Sequence, residues 1–333
     1  MIDTIKGYIF LNKYRRSDFK ELLKDSRKSI TKYGYTKTMN LSNFKITISF
    51  ENHEPYKLSF NGSLPKFYHG NNLIHLDWST TKDAIQELSD NLNVDISKAV
   101  LTRVDFGVNI PLNHHVYEYT ESLLAFPRLV TMRFRDSVTF FNKIDSRNFI
   151  FYDKVKELNK RRGRTENNLP YNLKENILRY EIQLKKNLKI RFGIKKVRVK
   201  DLFRDTVQNK LVDYWFKGYE KVEKMALGTD PDYMLKEYNG LQKYMSYHGL
   251  ERLGYDRVIG KISEQNFEVK NSRVKRSKMR GSIKKLLKEV EENGLDKGIL
   301  DELNNKIIYI KDYILLNKSV PYFNSEKDLE KYY

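Results

Sequence analysis

Arg147-Asn-Phe-Ile-Phe-Tyr-Asp-Lys-Val-Lys-Glu157 reads as a short strand, apolar at Phe149-Ile150-Phe151, that runs into a basic helix from about Lys154. A strand that runs directly into a basic helix leaves Tyr152 at the junction. Two further runs flank it in the chain, Leu101-Thr-Arg-Val-Asp-Phe-Gly107 before and Leu178-Arg-Tyr-Glu-Ile-Gln-Leu184 after. Each sets an arginine two residues ahead of a carboxylate. Strand side chains alternate faces, so Arg103 is expected to share a face with Asp105, and Arg179 with Glu181. Tyr180, one step out of phase, points the other way.

Working outward, residues 2–10 read as a strand, and Ser17 as the cap of a helix through Phe19, Leu22 and Leu23. Residues 44–50 and 56–60 alternate around a polar turn and form a hairpin. Strands are expected at 66–68 and 73–76, around the turn residues Gly70-Asn71-Asn72. Thr80 or Thr81 caps a helix bearing Ile85, Leu88 and Leu92. Residues 101–110 form a strand, a helix carries Val116, Leu123 and Leu124, and 130–134 pairs with 138–141. Strands interleaved with a few helices predict an α+β fold, a largely antiparallel sheet with flanking helices. From Asp201 helical periodicity takes over, with Leu202, Phe203, Val207, Leu211, Tyr214 and Trp215 at helical spacing. The expected division is a domain over residues 1–200 and a mostly helical, basic domain over 201–333.

Charge narrows the function classes. Lys and Arg number 62 against 43 Asp and Glu, a formal net charge of +19 over 333 residues. Such an excess points to a polyanion, nucleic acid first, with a merely solvated basic surface as the plain alternative. Arg161, Arg162, Arg164 and the run Arg273, Lys275, Arg276, Lys278 and Arg280 are the candidate phosphate contacts, with Arg103 and Arg179 nearer the chemistry. There is no cysteine, which removes disulfides, thiolate metal sites and thiol nucleophiles. The start of the sequence lacks a signal-peptide layout and no run approaches a membrane span, so the expected location is the cytoplasm. No phosphate-binding glycine loop occurs, nor a histidine-hydrophobe-histidine metal motif.

Tyr152 is one of 23 tyrosines and draws its interest from its setting. With Lys154 and Glu157 following within one helical turn, the group suits phosphodiester chemistry, in which Tyr152 attacks and Lys154 offsets phosphate charge. A Lys154–Glu157 surface ion pair is the structural alternative. Asp105 and Glu181, set among apolar strand residues, must be exposed, paired or metal-bound. They are candidate ligands for a hard cation such as Mg²⁺ or Mn²⁺, unless Arg103 and Arg179 neutralise them. His114-His115 reads as a solvated pair, and His75 with Asp77 as strand neighbours within reach of that ion.

The order Thr102-Arg103-Val104-Asp105, then Tyr152 with Lys154 and Glu157, then Arg179-Tyr180-Glu181 and a basic stretch to Phe192-Gly193, resembles the motif series of the gene II/gene X replication initiator family of filamentous phages and related plasmids. Met1-Ile2-Asp3 resembles that family's usual start, and the likeness covers about residues 1–210. It implies a metal-dependent nickase that opens the double-strand origin for rolling-circle replication. The tyrosine matching Tyr152 would form a 5′-phosphotyrosine and leave a 3′-OH primer, with Asp105, Glu181 and Glu157 toward the metal. Asp153 directly after the tyrosine departs from the phage pattern. Implied partners are double-stranded origin DNA, the displaced single strand, and host helicase and polymerase; no membrane is involved, and a homodimer is compatible. The rival readings are a conjugative relaxase with the same chemistry and a sequence-specific DNA-binding protein without catalysis.

Overall fold

The computed structural model describes residues 1–142, 147–162, 176–225, 231–265, 272–293 and 298–319. Its strands are β1 (Ile2–Phe10), β2 (Arg27–Thr31), β3 (Gly34–Leu41), β4 (Phe44–Glu51), β5 (Glu54–Ser63), β6 (Val100–Leu112), β7 (Leu123–Ala125), β8 (Val130–Phe134), β9 (Ser137–Phe141), β10 (Arg147–Asp153), β11 (Asn176–Leu184) and β12 (Glu223–Lys224). The first half carries helices α1 (Leu64–His69), α2 (Trp78–Leu92), α3 (Val116–Ser122), α4 (Lys154–Arg162) and α5 (Leu188–Phe192). The second carries α6 (Asp205–Glu220), α7 (Gly240–Leu253), α8 (Tyr255–Glu264), α9 (Ser272–Asn293) and α10 (Gly298–Asn317).

Ten strands form one sheet in the order β2-β3-β4-β5-β1-β6-β11-β10-β9-β8, and every pairing is antiparallel. Hairpins build both wings, because short polar turns separate runs of alternating residues. At the centre β6 and β11, far apart in sequence, lie side by side in unbroken register from Asn176↔Leu112 to Leu184↔Val104. The fold is the expected α+β arrangement, an antiparallel sheet with flanking helices and a helical C-terminal region.

One face of the sheet is the core. Ile5, Val104, Phe106, Val108, Phe151, Tyr180 and Ile182 are all buried there. Tyr180 stacks on Phe151 with ring centroids 4.1 Å apart, donates its hydroxyl to the Trp215 carbonyl at 2.7 Å, and accepts the Trp215 indole N–H at its own carbonyl. Helix α6 gets this close because of Gly218, where an added Cβ would lie 2.3 Å from the Phe149 ring. Buried Ile307, Ile310 and Ile314 of α10 join the same core, with Val207, Leu211 and Trp215 of α6. A second, smaller core joins Leu124 to Met234, Tyr247, Leu250 and the α9 residues Leu286, Leu287 and Val290.

Several local expectations change. Residues 66–68 are helical within α1, where Pro65 in the first turn favours a helix start, and 73–76 is irregular. Residues 16–19 form a single 3₁₀ turn, and β2 and β3 form a hairpin that the sequence pattern did not announce. Asp77 caps α2, accepting the Thr80 N–H at 2.7 Å, in the place expected of Thr80 or Thr81. No helix among the described residues is long and apolar enough to cross a membrane.

Candidate active site

The polar residues of the central strands face away from the core. Register sets Tyr152 of β10 opposite Arg179 of β11, and Arg179 opposite Asn109 of β6. The next row holds Glu181 between Ile150 and Gly107, and the third sets Gln183 beside Asp105. Asp3 joins from β1, where the ladder with β6 is interrupted between Ile2 and Ile5. Asp3, Arg103, Asp105, Tyr152, Glu157 and Glu181 line one cleft of about 630 Å³, together with Lys66 and Asn72. The three sequence runs therefore do meet.

Arg179 forms the floor. Its guanidinium is buried, bonds Asp3 through Nη2, donates to Asn109 Oδ1 at 2.9 Å and reaches Glu181 at 3.3 Å. Burial works against its charge, and Asp3, Tyr152 and Glu181 outweigh that, holding it above the ordinary arginine range. Asp3 also accepts from the Ser63 hydroxyl and from Asn72 Nδ2 at 3.3 Å. Burial opposes the Asp3 charge too, but Arg179 and Ser63 prevail and keep its carboxyl below the usual range.

Asp105 is fully buried and held by Arg103 in a two-pronged pair, with Nε 2.7 Å from Oδ1 and Nη2 on Oδ2. Burial, against the pull of Arg103 and with the help of Glu181, pushes its carboxyl up to about 7. Lys154 lies fully buried behind the cleft wall, donating to Asn72 Oδ1 at 2.6 Å and to Glu157 at 2.7 Å. Burial and the Arg179 charge bring it down to about 8. Its contacts tie the start of α4 to the 72 loop and hold Asn72 and Glu157 in place. It is not the surface ion pair that the spacing alone allowed.

The Tyr152 hydroxyl has no hydrogen-bond partner among the described residues, and its ring stands 6.0 Å from Lys154 Nζ. Burial raises its phenol above the ordinary value, with Arg179 pulling the other way. Tyr180 is buried on the opposite face. Asp153, directly after Tyr152, turns its carboxylate to the Lys156 N–H at 2.8 Å and caps α4. That removes it from the cleft.

The carboxylates do not present a ready metal site. Among the described residues no three acidic or histidine side chains converge as ligands. Each acid that lines the cleft already faces a cation: Asp3 and Glu181 face Arg179, Asp105 faces Arg103, and Glu157 faces Lys154. The donor types suit Mg²⁺ or Mn²⁺; the arrangement as it stands does not. His75 is buried, accepts the Asn109 backbone N–H at 2.8 Å and is held well below its usual pKa by burial, so it serves the fold. His114 and His115 are exposed.

The proposed phosphate contacts separate in the same way. Arg103 lines the cleft, whereas Arg179 is buried with its guanidinium on Asp3, Asn109 and Glu181. Arg164 and the side chains of Arg161 and Arg162 lie outside the described residues. On α9, Arg273, Lys275 and Lys278 are exposed, while Arg276 and Arg280 reach Ser263 at the end of α8.

The family model for the N-terminal part of the phage replication-associated protein, the gene II protein, matches residues 1–202, which includes every strand of the large sheet. The chain belongs to this family. It is a phage replication-associated initiator protein. No curated protein matches it. In this initiator, sequence reasoning overlooked Asp3, Ser63, Asn72 and Asn109. Asp3 alone left a trace, a carboxylate between the apolar residues Ile2 and Ile5 in the opening strand; the others look like ordinary strand and turn residues.

Proposed function

We propose that this initiator is a site-specific DNA nickase and strand transferase that cuts one strand of the double-strand origin through Tyr152. The observation that carries the reading is the Tyr152 hydroxyl, without a hydrogen-bond partner among the described residues, in a cleft it shares with Arg103, Lys66 and four carboxylates. In the reaction a Tyr152 Oη–phosphorus bond forms as the phosphorus–O3′ bond breaks. The phenol proton passes to a cleft carboxylate, the O3′ leaving group takes up a proton, and the products are a 5′-phosphotyrosine and a 3′-OH primer. Because burial disfavours a free phenolate, proton loss must accompany attack. Arg103, a quarter exposed, is the cation best placed to meet phosphate charge. No step is assigned to a metal ion, since the ligand set is not preformed.

One observation favours the rival reading of a DNA-binding protein without catalysis: every cleft carboxylate is matched by an arginine or lysine, as in a purely structural network. Incubation with supercoiled plasmid bearing the cognate origin separates the two. Open circles carrying covalently attached protein support the nickase; bound but intact supercoils support the rival. A conjugative relaxase would give the same adduct, at a transfer origin.

A further inference from the structure

The face of the sheet that carries the cleft continues, uncovered by any described helix, across the wing formed by β1 to β5. Its rows follow from the register. Arg27, Thr38, Thr47, Ser59 and Tyr8 lie side by side across five strands, with the Thr38 and Thr47 hydroxyls 3.2 Å apart. The next row, Asn40, Lys45, Asn61 and Lys6, ends against Arg103, a lining residue of the cleft. Lys57 stands opposite Phe10. None of these positions is acidic. The reverse face of the same strands holds the buried residues Ile46, Ile48, Leu58 and Phe60, so the polar pattern belongs to one side only.

Two aromatic rings stand on this polar face. Phe10 is 52% exposed, and its ring meets Tyr8 edge-on with centroids 5.6 Å apart. A phenylalanine left in water on a Lys/Thr/Ser surface contributes nothing to the core. Aromatic rings flanked by cations on an open sheet are what unpaired bases and their phosphates use. Bases of an intact duplex are already stacked on each other and cannot reach such rings. Tyr8 pairs with Val100 of β6, whereas the Tyr152 row runs through Asn109, about 30 Å further along β6 and, with β1 three strand spacings from β10, about 14 Å across, so a single strand over Tyr8 and Phe10 passes Lys6 and Arg103 at the near end of the cleft before it reaches Tyr152.

We infer that the open face of β1–β5 is a single-stranded DNA track, with Tyr8 and Phe10 stacking bases and Lys6, Lys45 and Lys57 following the backbone into the cleft. It rests on the nicking reading for the direction in which the strand runs, but not for the binding itself.

The test is fluorescence anisotropy of the full chain with labelled oligo-dT and with a duplex of equal length, without divalent metal. Replacing both rings, Tyr8→Ala with Phe10→Ala, should weaken oligo-dT binding roughly 10- to 100-fold and duplex binding far less. Phe10→Tyr, which keeps the ring, should bind as the unaltered chain and guards against a folding artefact. Lys45→Gln with Lys57→Gln should reduce the salt slope for oligo-dT by about 0.7 for each phosphate no longer neutralised. The inference is overturned if the unaltered chain does not bind oligo-dT, if the double alanine variant binds it unchanged, or if it loses single strand and duplex equally. Binding is read without cleavage. A chain that behaves as expected here yet never nicks would remove the nickase reading alone.

Discussion

The Arg179 guanidinium, carried on β11, crosses β6 over Gly107 and bonds Asp3 on β1. Three neighbouring strands are thus pinned by one side chain beneath the cleft. Glycine leaves room for the crossing: a Cβ at position 107 would lie 3.2 Å from Arg179 Nη2 and from Glu181 Cβ and Cγ, so those groups would have to give way slightly.

Breaking this link should be expensive. Asp3→Asn leaves a buried guanidinium short of charge, and a loss of about 3 kcal/mol in stability is expected by denaturant unfolding. Gly107→Ala, which only crowds the crossing, should cost about 1–3 kcal/mol. A change below about 0.5 kcal/mol for Asp3→Asn would mean that Arg179 is satisfied without it.

Asp105 sets a pH dependence. Its folded-state value of about 7 lies above the ordinary carboxylate range, so between about pH 4 and 7 the folded chain keeps a proton that the unfolded chain has released. The stability it contributes is present below about pH 4 and is lost as pH rises through about 7. Asn cannot titrate, so Asp105→Asn should compare better with the unaltered protein at about pH 8 than at about pH 5 in thermal melts. The opposite trend would mark Asp105 as an ion-pair carboxylate stabilised by Arg103.

The role of the carboxylates can be separated from that of an ion. Asp105→Asn and Glu181→Gln are expected to abolish nicking while DNA binding survives, because neither removes a basic side chain. Chelation with EDTA and re-addition of Mn²⁺ then reports whether these acids serve an ion or hold Arg103 and Arg179 in place. Normal nicking rates in both variants would assign the carboxylates to the fold alone.

Much of this was legible in the sequence, and the reason is strand alternation. Arg103 with Asp105, and Arg179 with Glu181, share a face because period two leaves no other option, and the β10-to-α4 switch at Asp153–Lys154 is written in the change from apolar to basic residues. What stayed hidden came from long-range register. Asp3 meets Arg179 only because β1, β6 and β11 are adjacent, and no local pattern encodes that. Lys154 looked exposed for a related reason: its i,i+3 partner Glu157 is local, but Asn72, which buries it, arrives from 82 residues away. Residues 66–68 misled because a short apolar run suits strand and helix equally.

On α9 the basic residues should divide by role. Arg273→Gln with Lys278→Gln, both exposed, should weaken binding to any duplex and flatten its salt dependence by about 0.9 for each phosphate no longer neutralised. Arg276→Gln and Arg280→Gln, which break hydrogen bonds to Ser263, should act chiefly on the α8–α9 packing, read as a lower melting temperature. Equal salt slopes for all variants would leave this helix as solvated surface.

Tyr152→Phe removes a single oxygen and keeps the ring and its place in β10. Supercoiled origin DNA is incubated with each protein, and the covalent product is digested and sequenced by mass spectrometry. The unaltered chain should yield open circles and a nucleotide-linked peptide carrying Tyr152, and the Phe variant should bind the origin yet yield neither. Full nicking by Tyr152→Phe, or an adduct on any other residue, would contradict the assignment of Tyr152 as the nucleophile.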